Sequence, residues 1–151
     1  MRLLLPVLIS TTMSSLHAQP ISGWPAEVKE IQVTSTADGT VQPSLAWSPK
    51  DDGKPQPLLV GLHTWSGDYR QSSNGPTFMR WAMQHGWHFV APNFRGANHT
   101  PFALGSDRAV QDIVDAVNFM KKSGKVDADR VYLIGASGGG HMSLLMAGRH
   151  P

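Results

Sequence analysis

Three short runs constrain this chain more than anything else in it: Leu58-Leu59-Val60-Gly61-Leu62, Trp87-His88-Phe89-Val90-Ala91 and Val131-Tyr132-Leu133-Ile134. Each is almost continuously apolar, without the alternation of a strand that has one wet face, so each reads as a strand buried on both faces. Helical patterns lie between and after them. Pro76–His85 carries Phe78, Met79, Trp81 and Ala82, with Gly86 as its stop. Asp107–Lys122 sets Val110, Ile113, Val114, Val117 and Met120 on one stripe. Ser106 or Asp107 can cap its start, Lys121 and Lys122 suit the negative end of its dipole, and Gly124 ends it. Met142–Ala147 is helical in pattern as well. Buried strands alternating with helices imply a mostly parallel sheet covered on both faces, so the expected fold class is α/β.

The segment before these runs has a different character. Ile31–Thr36 alternates and is β-branched, Asp38-Gly39 offers a hairpin turn, and Val41–Trp47 returns, which predicts an antiparallel hairpin ahead of the parallel sheet. Pro49–Pro57, with Asp51-Asp52-Gly53 inside it, reads as a surface loop. The first eighteen residues stand apart. Met1-Arg2 is followed by an apolar stretch from Leu3 to Ile9, then by Ser/Thr-rich sequence leading to His17-Ala18-Gln19. This is the layout of an export signal cut after Ala18, so the expected product is secreted or periplasmic and its domain spans 19–151. The apolar core is far shorter than the ~20 residues of a membrane span. The chain has 151 residues, enough for one domain.

Composition excludes several classes. With 13 basic and 11 acidic residues and no basic block longer than Lys121-Lys122, there is no footprint for nucleic acid. The absence of cysteine removes disulfides, zinc–cysteine sites and thiol nucleophiles together. Seven histidines invite a metal reading, but no His-Glu-x-x-His occurs. They read as scattered surface residues, and no metal is expected. A dinucleotide fingerprint would need glycine where Ser137 stands.

The junction of the last strand and last helix reads Gly135-Ala136-Ser137-Gly138-Gly139-Gly140, which contains Gly-x-Ser-x-Gly. In a nucleophile elbow the strand turns sharply into the helix with serine at the apex in a strained conformation. Residues two before and two after the apex have no room for side chains, which assigns Gly135 and Gly139. The serine hydroxyl then stands clear at the carboxyl edge of the sheet, and the next N–H, that of Gly138, faces a developing oxyanion. The five-residue pattern alone is a weak signal; its place between a buried strand and a helix gives it weight.

These residues resemble an α/β-hydrolase, and most closely the catalytic domain of the prolyl oligopeptidase-like serine hydrolases. Leu58–Trp65 is similar to the family's strand that ends in its His-Gly oxyanion loop, with His63 in place. Gly86–Gly96, ending Pro92-Asn93-Phe94-Arg95-Gly96, is similar to the strand ending Pro-Asn-x-Arg-Gly, and Val126–Pro151 holds the elbow and its helix. The resemblance implies Ser137 as catalytic nucleophile and an oxyanion hole made by the Gly138 N–H with a second N–H from Thr64 or Trp65. Thr64-Trp65-Ser66 stands where the family has glycine, so which of the two donates stays open. His63 itself reads as a packed strand-end histidine.

In this fold the serine is followed in the chain by Asp or Glu and then His. His141 sits four residues along the same helix and His150 sits at the chain end with no predicted structure to position it, so neither is expected as the base. The triad partners and the remaining strands are therefore expected beyond Pro151, with 19–151 forming the N-terminal portion of a catalytic domain. The implied function is a secreted serine hydrolase cleaving a peptide bond through an acyl-enzyme on Ser137. The alternatives are a carboxylic-ester hydrolase acting on carbohydrate or polymer esters, and an inactive fragment lacking the triad Asp and His. The expected partner is a small peptide or ester substrate, and the chemistry calls for no cofactor.

Overall fold

Strand β3 (Gln56–Leu62) is the axis of the molecule, and the computed structural model, which describes residues 20–151, shows why its sequence is so apolar. It lies between two parallel neighbours, β4 (His88–Pro92) and β5 (Val126–Gly135). Both of its faces are covered. Leu58, Val60 and Leu62 point to one side, into a cluster with Val90, Phe94, Val110, Ile113, Met142 and Met146. Leu59 points to the other, against Trp24, Met79, Ala82, Phe89 and Ala91. Burying each of these aliphatic side chains contributes roughly 1.5–3 kcal/mol. Gly61 interrupts the run because a Cβ there would stand 2.9 Å from the Phe89 ring.

The helices divide between the faces. Helix α1 (Gly75–His85) supplies Met79 and Ala82 to the Leu59 side. Helices α2 (Asp107–Ser123) and α3 (Gly138–Arg149) cover the opposite face. The Ser106 hydroxyl accepts from the Ala109 N–H and caps α2, while Gly86, at φ 67°, takes the left-handed conformation that closes α1. Beyond β4 comes the hairpin of β1 (Lys29–Thr34) and β2 (Val41–Trp47), with β2 antiparallel to both β1 and β4. Among the described residues the sheet order is β1-β2-β4-β3-β5. The chain leaves β3 for β4 on one side and later enters β5 on the other, so β3 sits at a switch point. The loops after β3 and β5 therefore meet at the carboxyl edge of the sheet, where crevices form in such folds.

Four expectations are corrected by this arrangement. The hairpin connection is Ser35–Thr40 rather than a turn of Asp38-Gly39 alone. Thr36 leaves the ladder because its N–H and hydroxyl bond the Asp115 carboxylate of α2, at 2.6 and 2.9 Å. Strand β3 begins at Gln56, inside the expected loop, where the Gln56 N–H donates to the Lys125 carbonyl. Strand β5 is longer than expected and only partly buried, with Tyr132 45% exposed, because among the described residues β3 is its one partner strand. Helix α3 starts at Gly138, directly after the elbow serine. The expected export signal, 1–18, lies outside the described residues.

One polar cluster ties the hairpin turn and the loop after β4 to α2. After β4 the backbone turns through positive φ at Phe94 and Arg95, which swings the Arg95 guanidinium under α2. Its Nε and Nη2 donate to the Asp112 carboxylate at 2.6 and 2.9 Å, and its Nη1 donates to Asp38 at 2.8 Å. Nη2 also donates to the Ser35 hydroxyl. Hydrogen bonds from Arg95 and Thr40 hold the Asp38 carboxyl well below the usual carboxylate range, and the two carboxylates hold Arg95 above the usual guanidinium range.

Candidate active site

The β5–α3 junction has the backbone of an elbow. Ser137 sits at φ 55° and ψ −120°, a region that L-residues adopt only under constraint, and α3 begins at the next residue. The constraint is visible at the glycines. A Cβ on Gly135 would strike the backbone of Gly139, and a Cβ on Gly139 would strike the carbonyl oxygen of Leu62 at the end of β3. The two strand ends and the helix start are thus packed backbone to backbone. Ser137 occupies the helix N-cap position without making a side-chain cap bond, and the residue is exposed, so its hydroxyl is available to a reactant.

Gly138, expected as an N–H donor, is also required to be glycine for a steric reason. A Cβ there would lie 2.5 Å from the amide nitrogen of Trp65. The loop after β3 therefore brings its own backbone N–H groups to the elbow. The two candidate donors are not equivalent. The Thr64 N–H donates to the side-chain Oε1 of Gln71 at 2.9 Å. The Trp65 N–H has no acceptor among the described residues. Its direction is set by the peptide that carries it. The Thr64 carbonyl accepts from the Gly67 N–H at 3.1 Å and lies 2.9 Å from His63 Nδ1. In a trans peptide the Trp65 N–H points to the opposite side. The Trp65 carbonyl in turn accepts from the Asn98 N–H at 2.9 Å. Trp65 is 51% exposed.

His63 is buried below this loop and stacked on Phe94 at 3.8 Å between ring centroids. Its ring nitrogens face the carbonyls of Thr64 and Asn93, at 2.9 and 2.8 Å. Burial pushes its pKa below the ordinary histidine value; the neutral ring donates to one of the two carbonyls. This is a structural histidine, as the sequence suggests. His141 is exposed on the first turn of α3, with its ring toward Gly105. Among the described residues no histidine bonds to a carboxylate: His63, His85 and His88 contact carbonyls or a hydroxyl. His88 corrects the reading of surface histidines, being buried with Nδ1 2.9 Å from the Ser48 hydroxyl. No group of three or more metal-ligating side chains forms among the described residues, and no described helix is long and apolar enough to cross a membrane.

The site so described sets an exposed serine hydroxyl beside backbone N–H groups carried by the ends of two adjacent strands. Sequence reasoning missed Gln71, which lies in a polar loop without periodicity and is recognisable only through its contact with Thr64.

Comparison with known proteins gives this geometry a lineage. The rice (Oryza sativa subsp. japonica) acylamino-acid-releasing enzyme 1 is 27% identical over 127 residues, covering 76% of this chain and 16% of its own length. Among solved structures, an acylaminoacyl peptidase of Pyrococcus horikoshii superposes with a TM-score of 0.61 at 22% identity, over 78% of this chain and 20% of that one. An esterase of Pyrobaculum calidifontis gives a TM-score of 0.63 at 23% identity, over 86% of this chain and 40% of that one. The chain thus spans less than half the length of each of these proteins, and the two structures establish likeness of fold. The model of the BD-FAE family matches residues 46–150, which run from the end of β2 through α3 and include both the loop after β3 and the Ser137 turn. On that match, across more than half of its length, the chain belongs to the BD-FAE family, built on an α/β-hydrolase fold.

Proposed function

We propose that this chain carries the nucleophile and oxyanion hole of an exported serine hydrolase that cleaves a peptide bond in a small acylated peptide. The observation that carries the reading is the convergence of the exposed Ser137 residue, the start of α3 at Gly138 and the Trp65 N–H, which has no acceptor among the described residues. Ser137 Oγ bonds to the carbonyl carbon while its proton passes to a general base. The resulting oxyanion is held by the N–H groups of Gly138 and Trp65. Collapse breaks the C–N bond, the departing amine takes a proton, and water then cleaves the acyl-enzyme to release the acid and restore the serine. Trp65 is preferred to Thr64 as second donor because the Thr64 amide is engaged by Gln71.

No described histidine bonds to a carboxylate, so in this proposal polypeptide outside 20–151 supplies the base and its acid partner. The export signal at 1–18, supported by its charge and apolar pattern, predicts a mature protein beginning at Gln19, which N-terminal sequencing of the secreted product would read. The peptide-bond reading is supported by the rice relative named for releasing acylamino acids. The carboxylic-ester reading is the second, supported by the esterase of like fold. Comparing kcat/KM for an N-acetyl-alanyl anilide with that for the matching ester tests the choice. A specificity constant for the anilide within about 100-fold of that for the ester supports the peptidase, and turnover of the ester alone overturns it.

A further inference from the structure

We propose that Gln71 is a positioning residue for the oxyanion hole: its side-chain amide fixes the loop after β3 so that the Trp65 N–H, and not that of Thr64, faces the reacting carbonyl. This rests on the reading of Ser137 and Trp65 given above. The Gln71 amide uses both its ends on a single residue. Its Oε1 accepts the Thr64 N–H at 2.9 Å, and its Nε2 donates to the Thr64 hydroxyl at 2.6 Å. This removes Thr64 from the pool of free donors and fixes the residue that immediately precedes the Trp65 amide.

The clamp is itself anchored. The Gln71 N–H donates to the Asp68 carbonyl at 3.0 Å. The neighbouring Arg70 carbonyl accepts from the indole N–H of Trp24 at 3.0 Å, and Trp24 belongs to the core under α1. Gly67 lies flat on the amide: a Cβ at that position would stand 2.7 Å from Gln71 Cδ. The loop thus folds back on itself around one side chain, while Trp65 and Ser66 at its tip are exposed. An exposed loop tip without such a tie opens readily, whereas an oxyanion donor must hold its place to within about 0.5 Å.

The test uses the complete protein. We would measure kcat and KM for p-nitrophenyl acetate, normalised to serine titrated with a fluorophosphonate, in Q71L, Q71E and T64V. Leucine matches the bulk of glutamine and makes neither bond; glutamate still accepts from the Thr64 N–H and from its hydroxyl. Losing one oxyanion donor outright costs about 10²–10³ in kcat. Q71L, which loosens rather than removes the donor, should lower kcat per titrated serine by about 10- to 100-fold with KM nearly unchanged. T64V should cost less, about 3- to 10-fold, since it keeps the Thr64 N–H bond. Q71E should stay within about fivefold of the parent.

A role confined to stability would lower the titratable fraction and leave kcat per titrated serine unchanged, and that result in Q71L overturns the inference. Should Q71L fail to fold, T64V carries the test, and an unaltered kcat per titrated serine there overturns it equally. A titratable Ser137 with kcat insensitive to Gln71 overturns this inference alone. Activity that survives Ser137→Ala overturns the inference together with the reading it rests on.

Discussion

Replacing Arg95 with methionine tests the account of how the loop after β4 is held. The Asp112 side chain is fully buried, and both of its oxygens accept from Arg95, at 2.6 and 2.9 Å. Methionine is close in length and apolar, so packing under α2 is kept while the cation is lost. Asp112 is then a buried carboxylate without its donor. Breaking one side of a buried pair costs about 3–5 kcal/mol. Arg95 retains 10% exposure, so the lower end, about 3 kcal/mol, is the appropriate expectation. At about 3 °C per kcal/mol for a domain of this size, the melting midpoint should fall by about 10 °C. The double variant Arg95→Met/Asp112→Leu leaves no orphaned charge at that point, and it should recover more than half of the loss. Denaturant unfolding followed by tryptophan fluorescence reads both. If Arg95→Met falls by less than about 1 kcal/mol, or the double variant is worse than the sum of the singles, the cluster does not tie the hairpin to α2 as argued.

Further predictions concern the glycines and the histidines. Gly139→Ala places a methyl group against the Leu62 carbonyl, where neither backbone can give way. It should destabilise by about 2–3 kcal/mol. Gly148→Ala, in the same helix and with nothing within 4 Å, should instead stabilise by up to about 1 kcal/mol in the same denaturant titration. Burial lowers the pKa of both His63 and His88 below the ordinary 6.5. As pH falls through that value the unfolded chain takes up protons that the folded chain refuses, so stability decreases downward from there. The melting midpoint should therefore drop between pH 7 and pH 5, above the range in which the carboxylates titrate. The doubly substituted His63→Gln/His88→Gln protein should lose that slope.

The parts legible in the sequence are those whose signal is local. The run Leu58–Leu62 announces a strand covered on both faces, and it is one. The stripe on α2 marks its buried side through Val110, Ile113 and Met120. The spacing of Gly135, Ser137 and Gly139 forecasts a turn that tolerates no side chain at its flanks, and the backbone is that tight. What stayed hidden depends on partners far away in the chain. Asp112 and Asp115 are charged residues that a periodicity rule assigns to water. They are buried because Arg95 and Thr36 reach them across separations of 17 and 79 residues. His88 goes inward for a similar reason, since its ring nitrogens meet Ser48 and Lys125 from two other segments. The proposed preference for Trp65 over Thr64 likewise rests on Gln71, a residue that no pattern singles out.

The central claim is that Ser137, held at the elbow beside the Trp65 and Gly138 amides, is the nucleophile of an acyl-transfer enzyme. Its most direct test is the intact mass and peptide map of the complete protein after incubation with a fluorophosphonate. The account predicts one adduct per chain, on Ser137, absent from Ser137→Ala, with loss of ester turnover by at least about 10³-fold in that variant. An adduct on another residue, or turnover that survives Ser137→Ala, would contradict it.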